Sequence, residues 1–163
     1  EALAICRGVH ERYHPRSHNP WNEVECGDHY ARALASYGMF LALCGFEYHG
    51  PQGRIGFAPR LNPDDFAAAF TGAEGWGKFT QKRQDGSQKN TIEILWGRLR
   101  VRSIALEAPS EAPQRVVVAT QTAEGEKTVD IAALEQNSRR VVIQLKQPLT
   151  LEAGQILQIE LRG

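Results

Sequence analysis

The chain has 163 residues, and 19 Lys and Arg balance 19 Asp and Glu, so its formal net charge is zero. This balance gives no electrostatic reason to expect a nucleic acid or an anionic membrane surface as a partner. A hydrophobic share of 42% argues against disorder, and no apolar run reaches the roughly 18 residues that a membrane span needs. The three cysteines are widely spaced, without a C-x-x-C pair. They indicate neither a disulfide framework nor a structural zinc site, and they favour a reducing compartment, the cytoplasm.

Two helices are predicted in the first third of the chain. Residues 1–13 place their apolar side chains on roughly one face, and Pro15 ends the pattern. A second helix is expected from Asp28, which suits the N-cap position, to Gly45, which suits the position after the C-cap. This second helix is apolar nearly all the way round, which is typical of a helix that is buried on all sides. We therefore expect more protein around it than this chain supplies.

The middle of the chain is predicted to contain two short strands and one short helix. Residues 46–59 form the strands, on either side of a turn at Gly50-Pro51-Gln52-Gly53. The run Asn62-Pro63-Asp64-Asp65 has a cap, a proline and two acids in the order of a helix start, and Phe66 and Phe70 would share one face of that helix.

From about residue 91 onward, apolar residues alternate with polar ones, which predicts a half-buried antiparallel sheet. Arg98, Arg100 and Arg102 form a basic stripe that we interpret as a solvated outer face. The inward positions are Ile92, Ile94, Trp96, Leu99, Val101, Val116, Val118, Val141, Ile143, Leu145, Leu157, Ile159 and Leu161.

The densest polar cluster lies in the loop before the second helix and in its first turn. Its members are Asn22, Glu23, Glu25, Asp28, His29 and Arg32. Asp28 is interpreted as a helix cap. Arg32 opens an apolar helix, so its charge needs a carboxylate partner, which Glu23 or Glu25 can supply. An arginine beside a carboxylate offers donors and an acceptor to vicinal hydroxyls, and Trp21 could provide an apolar face for a pyranose ring.

A different chemistry is suggested by His10-Glu11-Arg12-Tyr13-His14, which matches the H-E-x-x-H pattern of zinc proteases. Pro15 follows at once, and Leu34 stands about where a third ligand would be needed. We therefore expect no metal and no cofactor, and a zinc peptidase is kept only as a hypothesis that metal analysis can test.

Three motifs together resemble the C-terminal part of glycoside hydrolase family 116, which includes non-lysosomal (bile-acid) glucosylceramidases and bacterial β-glucosidases. They are N-P-W-N-E-V-E-C-G-D-H-Y-A-R at residues 19–32, F-L-A-L-C-G-F-E-Y-H-G-P at 40–51 and I-G-F-A-P-R-L at 55–61. The resemblance implies that Glu23 and Arg32 bind O4 and O6 of glucose in the −1 subsite. It also implies a retaining mechanism whose catalytic carboxylate pair lies upstream, so no residue of this chain is expected to be catalytic.

The resemblance implies that the chain begins with the last helices of an (α/α)6-barrel-type catalytic domain. Together with the alternation from residue 91 onward, which predicts an antiparallel β-sheet or sandwich extension, it gives an α+β fold class. Residues 1–60 would belong to the barrel, 61–90 would be a short helix and connector, and 91–163 would be the β domain. The leading hypothesis is a C-terminal fragment of a β-glucosidase or glucosylceramidase-like hydrolase. Its partners would be a β-glucoside, or a glucosylated lipid or oligosaccharide, and the remainder of the same polypeptide. The alternative is a non-catalytic β-sandwich module that binds carbohydrate or a partner chain.

Overall fold

A computed structural model describes residues 1–12, 16, 33–109 and 115–162, without the side chains of residues 33–36. These residues divide between two compact units, Glu1–Phe40 and Leu41–Gly163. The helices are α1 (Ala2–Arg12) and α2 (Ala33–Cys44). The strands are β1 (Glu47–His49), β2 (Arg54–Phe57), β3 (Asp65–Thr71), β4 (Gly75–Gln84), β5 (Ser87–Glu107), β6 (Arg115–Thr122), β7 (Gly125–Thr128), β8 (Ile131–Asn137), β9 (Arg140–Glu152) and β10 (Ile156–Arg162).

The second unit is a β-sandwich whose two sheets share the long strand β5. The first half of β5 pairs with β4 and β10, which gives the first sheet the strand order β3-β4-β5-β10-β6-β7. The second half pairs with β2 and β9, which gives the second sheet the order β1-β2-β5-β9-β8. All pairs are antiparallel except β2 with β5, which run parallel. A single strand that changes partners halfway along its length thus holds both layers together.

The core lies between the two sheets and is formed by the inward positions of the strands. Ile92 and Ile94 of the first half of β5 are buried, as are Leu99 and Val101 of the second half. The two layers meet in a cluster of phenylalanines, where the rings of Phe57 on β2 and Phe79 on β4 stack with centroids 3.9 Å apart and planes 2° apart. Burial of apolar surface on this scale is the main stabilising contribution to such a unit.

A polar network occupies one part of the inner face of the first sheet. Gln88 donates to Oε1 of Gln81 at 3.1 Å and to Oδ1 of Asn90 at 3.0 Å, and all three side chains are buried. The Arg83 guanidinium donates to Oε1 of Gln88 at 2.7 Å and to the backbone carbonyl of Glu107 at 2.9 Å. Because β4 carries Arg83 and the far end of β5 carries Glu107, these bonds connect the first sheet to the end of the second.

The predicted fold class is wrong, because the described residues are mostly strand, with two short helices and a mixed sheet. Barrel helices bury apolar faces against one another, whereas α1 has no buried residue here. Apart from Cys44, every buried apolar side chain of the described residues lies at or after Ile55. The strands, and not the helices, therefore provide the core.

Within the described part of the chain, α2 is not buried on all sides, so the burial predicted for it would require protein beyond these residues. Tyr37, Met39 and Phe40 are exposed, and Cys44 is the buried side chain at the end of the helix. The C-terminal end agrees with the prediction. The Phe46 amide donates to the Leu41 carbonyl at 3.1 Å, and the amide of Gly45, at φ 55°, donates to the Ala42 carbonyl at 3.2 Å. These two bonds satisfy the carbonyls that would otherwise lack partners at a helix end.

The short helix expected after Asn62 is replaced by strand β3. Asn62 has a φ of 47°, a left-handed conformation that suits a turn and not an N-cap. Phe66 and Phe70 are four residues apart, a spacing that places them on one face of a helix but equally on one face of a strand. Both pack against the sandwich core, so burial against β4 decides between the two conformations.

Candidate functional site

The residues predicted to bind glucose, Trp21, Glu23 and Arg32, lie outside the described residues, as does the predicted cap Asp28. The same holds for His14, the second histidine of the H-E-x-x-H pattern. Across the described part of the chain, no group of three or more His, Cys, Asp or Glu side chains is placed to hold a metal ion.

An open cleft of about 360 Å³ lies on the sandwich unit. Its walls come from three places in the chain: the end of β1 with the turn after it, the turn between β3 and β4, and the second half of β5. The lining residues are Tyr48, Gly50, Pro51, Ala73, Glu74, Arg98 and Arg100. The volume lies near the lower end of the range for small-molecule sites.

Tyr48 positions the turn that carries Glu74. The amide of Ala73 donates to the Tyr48 hydroxyl at 3.2 Å, and the amide of Gly72 closes the turn by donating to the Gly75 carbonyl at 2.8 Å. The Tyr48 hydroxyl accepts the first of these bonds, and none of the hydrogen bonds between described residues uses its own proton. Tyr48 therefore brings a fixed hydroxyl group that can donate to a molecule in the cleft.

Glu74 and Arg98 form an ion pair at the rim of the cleft. Nη2 and Nε of Arg98 lie 2.6 Å and 3.2 Å from the same carboxylate oxygen, Oε1 of Glu74. The hydrogen bond from Arg98 and then its positive charge lower the pKa of Glu74, and the same bond raises the pKa of Arg98. Glu74 is therefore ionised at neutral pH. Its second oxygen, Oε2, accepts no bond from the side chains that the structure describes.

Arg100 adds a second guanidinium to the same cleft. Its strand neighbours Leu99 and Val101 are buried, so the alternation of β5 directs Arg100 outward. Its cross-strand partner is Thr150, and no hydrogen bond or ion pair joins its guanidinium to another described residue. Two guanidiniums thus face one carboxylate, and the donors of Arg100 remain available.

Trp76 and Trp96 form a cross-strand pair next to the ion pair. They are register partners on β4 and β5, one step beyond the Gly75–Gly97 pair, and their exposed fractions are 45% and 62%. The prediction that Trp96 faces inward with Ile92 and Ile94 is wrong. The register between β4 and β5 shifts between Trp76 and Gly77, and this irregularity moves Trp96 out of the inward series.

Gly75 on β4 and Gly97 on β5 allow these two strands to approach closely. A Cβ on Gly97, whose φ is 71°, would lie 2.2 Å from the Glu74 carbonyl oxygen, and one on Gly75 would lie 2.5 Å from the Trp96 carbonyl oxygen. No side chain fits at either position. The amide of Arg98 donates to the Glu74 carbonyl at 3.1 Å across the same contact, so this approach also places the Glu74 and Arg98 side chains together.

The cleft is not predicted by the sequence patterns. They indicate a solvated face at Arg98 and Arg100, and they single out neither Tyr48 nor Glu74. One sequence feature could have indicated this site. Gly75-Trp76-Gly77 and Trp96-Gly97-Arg98 each place a glycine beside a tryptophan inside a strand. Glycine within a strand often indicates a bulge or a close backbone approach.

No family model and no curated protein sequence matches this chain. Among solved structures, it is similar to an α-L-rhamnosidase from Dictyoglumus thermophilum, with 15% sequence identity and a TM-score of 0.41. That similarity covers 74% of this chain and 12% of the rhamnosidase chain. The chain therefore spans about one eighth of the length of that neighbour.

None of the helices in the described part of the chain is long and apolar enough to cross a membrane.

Proposed function

We propose that this chain is the C-terminal part of a retaining β-glucosidase or glucosylceramidase-like hydrolase. Its contribution would be Glu23 and Arg32, which bind glucose hydroxyls in the −1 subsite, with Trp21 beneath the sugar ring. The observation that carries the proposal is the motif at residues 19–32, where a glutamate and an arginine nine residues apart precede an apolar helix. The substrate would be a β-glucoside, including a glucosylated lipid or oligosaccharide. The cytoplasm is the proposed compartment, because the cysteines are few and widely spaced.

The exposed apolar side chains of the two helices support a larger assembly. Leu3, Ile5 and Val9 of α1 are exposed, and Ile5 and Val9 are four residues apart, about one helical turn. Tyr37, Met39 and Phe40 of α2 are exposed as well. Apolar side chains grouped in this way usually contact another protein surface. Further sequence of the same polypeptide is the partner that the proposal assigns to them.

The alternative, a non-catalytic β-sandwich module that binds carbohydrate or a partner chain, has its own supporting observation. The sandwich unit has a continuous core of its own, from Ile55 on β2 to Leu161 on β10. A unit with such a core does not need a catalytic domain in order to fold.

Hydrolysis of an aryl β-glucoside tests the proposal. The 163-residue chain should show no turnover, because the catalytic carboxylate pair is not expected in it. In the native gene product, Arg32→Ala should raise KM for the glucoside, since hydroxyl contacts of the glucose are lost, with Arg16→Ala as a control of like charge. Turnover by the chain alone that a single carboxylate substitution abolishes would refute the proposal. A native product of 18.1 kDa without glucosidase activity would favour the module.

A further inference from the structure

We propose that the cleft at Glu74, Arg98 and Arg100, together with the Trp76–Trp96 pair, is a second carbohydrate-binding site. Its ligand would be a neutral oligosaccharide of gluco-configured pyranose rings. This site shares no residue with the predicted glucose subsite at Glu23 and Arg32. It rests on different residues, all of them in the sandwich unit, and does not depend on the proposed hydrolase function.

The cleft pairs a guanidinium, which donates hydrogen bonds, with a carboxylate, which accepts them. Arg98 and Glu74 are held side by side through Oε1 of the glutamate, which leaves Oε2 to accept a bond and Nη1 of Arg98 to donate one. Vicinal hydroxyls of a pyranose each donate one hydrogen bond and accept others, so a carboxylate beside a guanidinium matches them. Arg100 and the Tyr48 hydroxyl bring further donors to the same cleft.

An exposed apolar surface, the Trp76–Trp96 pair, adjoins the Glu74–Arg98 ion pair. A pyranose ring with equatorial hydroxyls presents its C–H groups on its faces, and an indole is a flat apolar surface of suitable size. Trp76 and Trp96 are large, exposed side chains and register partners, so together they offer such a surface to a ligand. Each is two residues along the chain from a member of the ion pair, with the paired Gly75 and Gly97 between them. The indole pair thus adjoins the ion pair on both chain segments, and the proposed ligand has more than one ring so that it can reach both.

Charge favours a sugar over a nucleic acid. A single-stranded nucleic acid also stacks on tryptophan, but it requires a positively charged groove along its backbone. Here Glu74 stands in the cleft beside the two arginines, and the whole chain carries no net charge. A carboxylate at this position repels phosphate but accepts a bond from a hydroxyl group.

The test uses the three tryptophans of the 163-residue chain, Trp21, Trp76 and Trp96, as separate reporters. Their three indole N–H signals are resolved in a ¹⁵N–¹H correlation spectrum and assigned with single Trp→Phe variants. Titration with cellotriose should shift the Trp76 and Trp96 signals saturably, with mannitol as the control solute. The same shifts should persist in the double variant Glu23→Ala/Arg32→Ala, in which the other proposed site is removed.

Arg100→Ala is the informative variant, because no hydrogen bond from this side chain to a described residue is lost. It should weaken cellotriose binding about tenfold, the loss of one good polar contact. Arg102→Ala is the matched control, since Arg102 is the next outward arginine of β5 but does not line the cleft. An unchanged affinity in this control is the expected result.

Three outcomes would overturn the inference. The first is the absence of saturable shifts at Trp76 and Trp96 when cellotriose approaches its solubility limit. The second is an equal loss of affinity in Arg100→Ala and Arg102→Ala. The third is tighter binding of oligothymidylate than of cellotriose. If only the Trp21 signal responds, and that response is lost with Arg32, the second site fails while the glucose subsite at Glu23 and Arg32 remains supported.

Discussion

Removing the Phe79 ring is expected to destabilise the sandwich unit strongly. Phe79 is fully buried, and its ring stacks on Phe57 of the opposite sheet with centroids 3.9 Å apart. Phe→Ala at a buried site costs about 3–5 kcal/mol, because transfer energy is lost and a cavity remains. A typical domain has only about 5–15 kcal/mol of stability. Phe79→Ala should therefore remove a large part of the free energy of unfolding.

Urea denaturation measures this loss. With an m value of about 2 kcal/mol/M, a loss of 4 kcal/mol lowers the midpoint by about 2 M. The milder Phe79→Leu should give a smaller shift in the same direction, because leucine keeps part of the buried surface. Leu134→Ala is the control, since Leu134 is an exposed apolar residue on the outer strand β8, and its effect should stay within about 0.5 kcal/mol.

A double-mutant cycle tests the contact between the two sheets. Phe57→Ala and Phe79→Ala together should cost less than the sum of the single changes, by about 0.5–1.5 kcal/mol for the ring pair. If the single-variant costs simply add, the two rings do not interact. If Phe79→Ala shifts the midpoint no more than Leu134→Ala does, the sandwich core described above is wrong.

Three further predictions follow from other parts of the sandwich. Gly97 has a φ of 71°, and a Cβ on it would lie 2.2 Å from a carbonyl oxygen, whereas Gly86 has a φ of 74° and open space around it. In urea titrations, Gly86→Ala should cost about 1–2 kcal/mol and Gly97→Ala clearly more. Equal costs would contradict the close approach of β4 and β5. Gln88→Leu removes the side-chain acceptor of Arg83 Nε and the donor to Oε1 of Gln81 and Oδ1 of Asn90. It should therefore cost about 1–3 kcal/mol in the same assay, while the exposed Gln84→Leu changes little. Equal effects of the two would show that the buried network contributes nothing. Glu47 accepts two hydrogen bonds from Arg140 at 2.8 Å and 2.6 Å, and these bonds lower the pKa of Glu47. The ion pair therefore stabilises the folded state above the ordinary glutamate pKa of about 4.3. This stabilisation is lost as the pH falls through the lower pKa of Glu47 in the folded state. Since both side chains are well exposed, the contribution is below about 1 kcal/mol, and Arg140→Met should flatten the acid limb of a stability–pH curve that Arg115→Met leaves unchanged.

Local patterns predicted many of the elements. The strands on either side of Gly50-Pro51-Gln52-Gly53 are confirmed as β1 and β2, and the αL glycine after α2 is confirmed at Gly45. The strands expected around Ile92, Val118, Ile143 and Ile159 are confirmed too. Each depends on an alternation or a turn residue whose effect is confined to its neighbours in the chain.

Residues 62–84 show where local patterns do not decide the structure. The sequence Asn62-Pro63-Asp64-Asp65 has the order of a helix start, and the chain nevertheless forms strand β3. β3 gains ladder hydrogen bonds and burial from β4, and neither contribution can be read from the segment alone. The (α/α)6-barrel expectation that came with the family resemblance is wrong, because strands and not the helices α1 and α2 provide the core of the described residues. The glucose-binding assignment of Trp21, Glu23 and Arg32 remains a prediction.

The sequence by itself determined the strand periodicity, and with it most of the side chains that face the core. It also determined the glycines that permit tight turns, because short-range sterics act on each residue and its neighbours. Only the tertiary structure decided that β5 joins two sheets, that Trp96 points outward, and that Glu74 meets Arg98 from 24 positions away in the chain. Such pairings depend on the burial and hydrogen bonds that segments distant in the chain gain from one another, and these gains cannot be read from a local pattern.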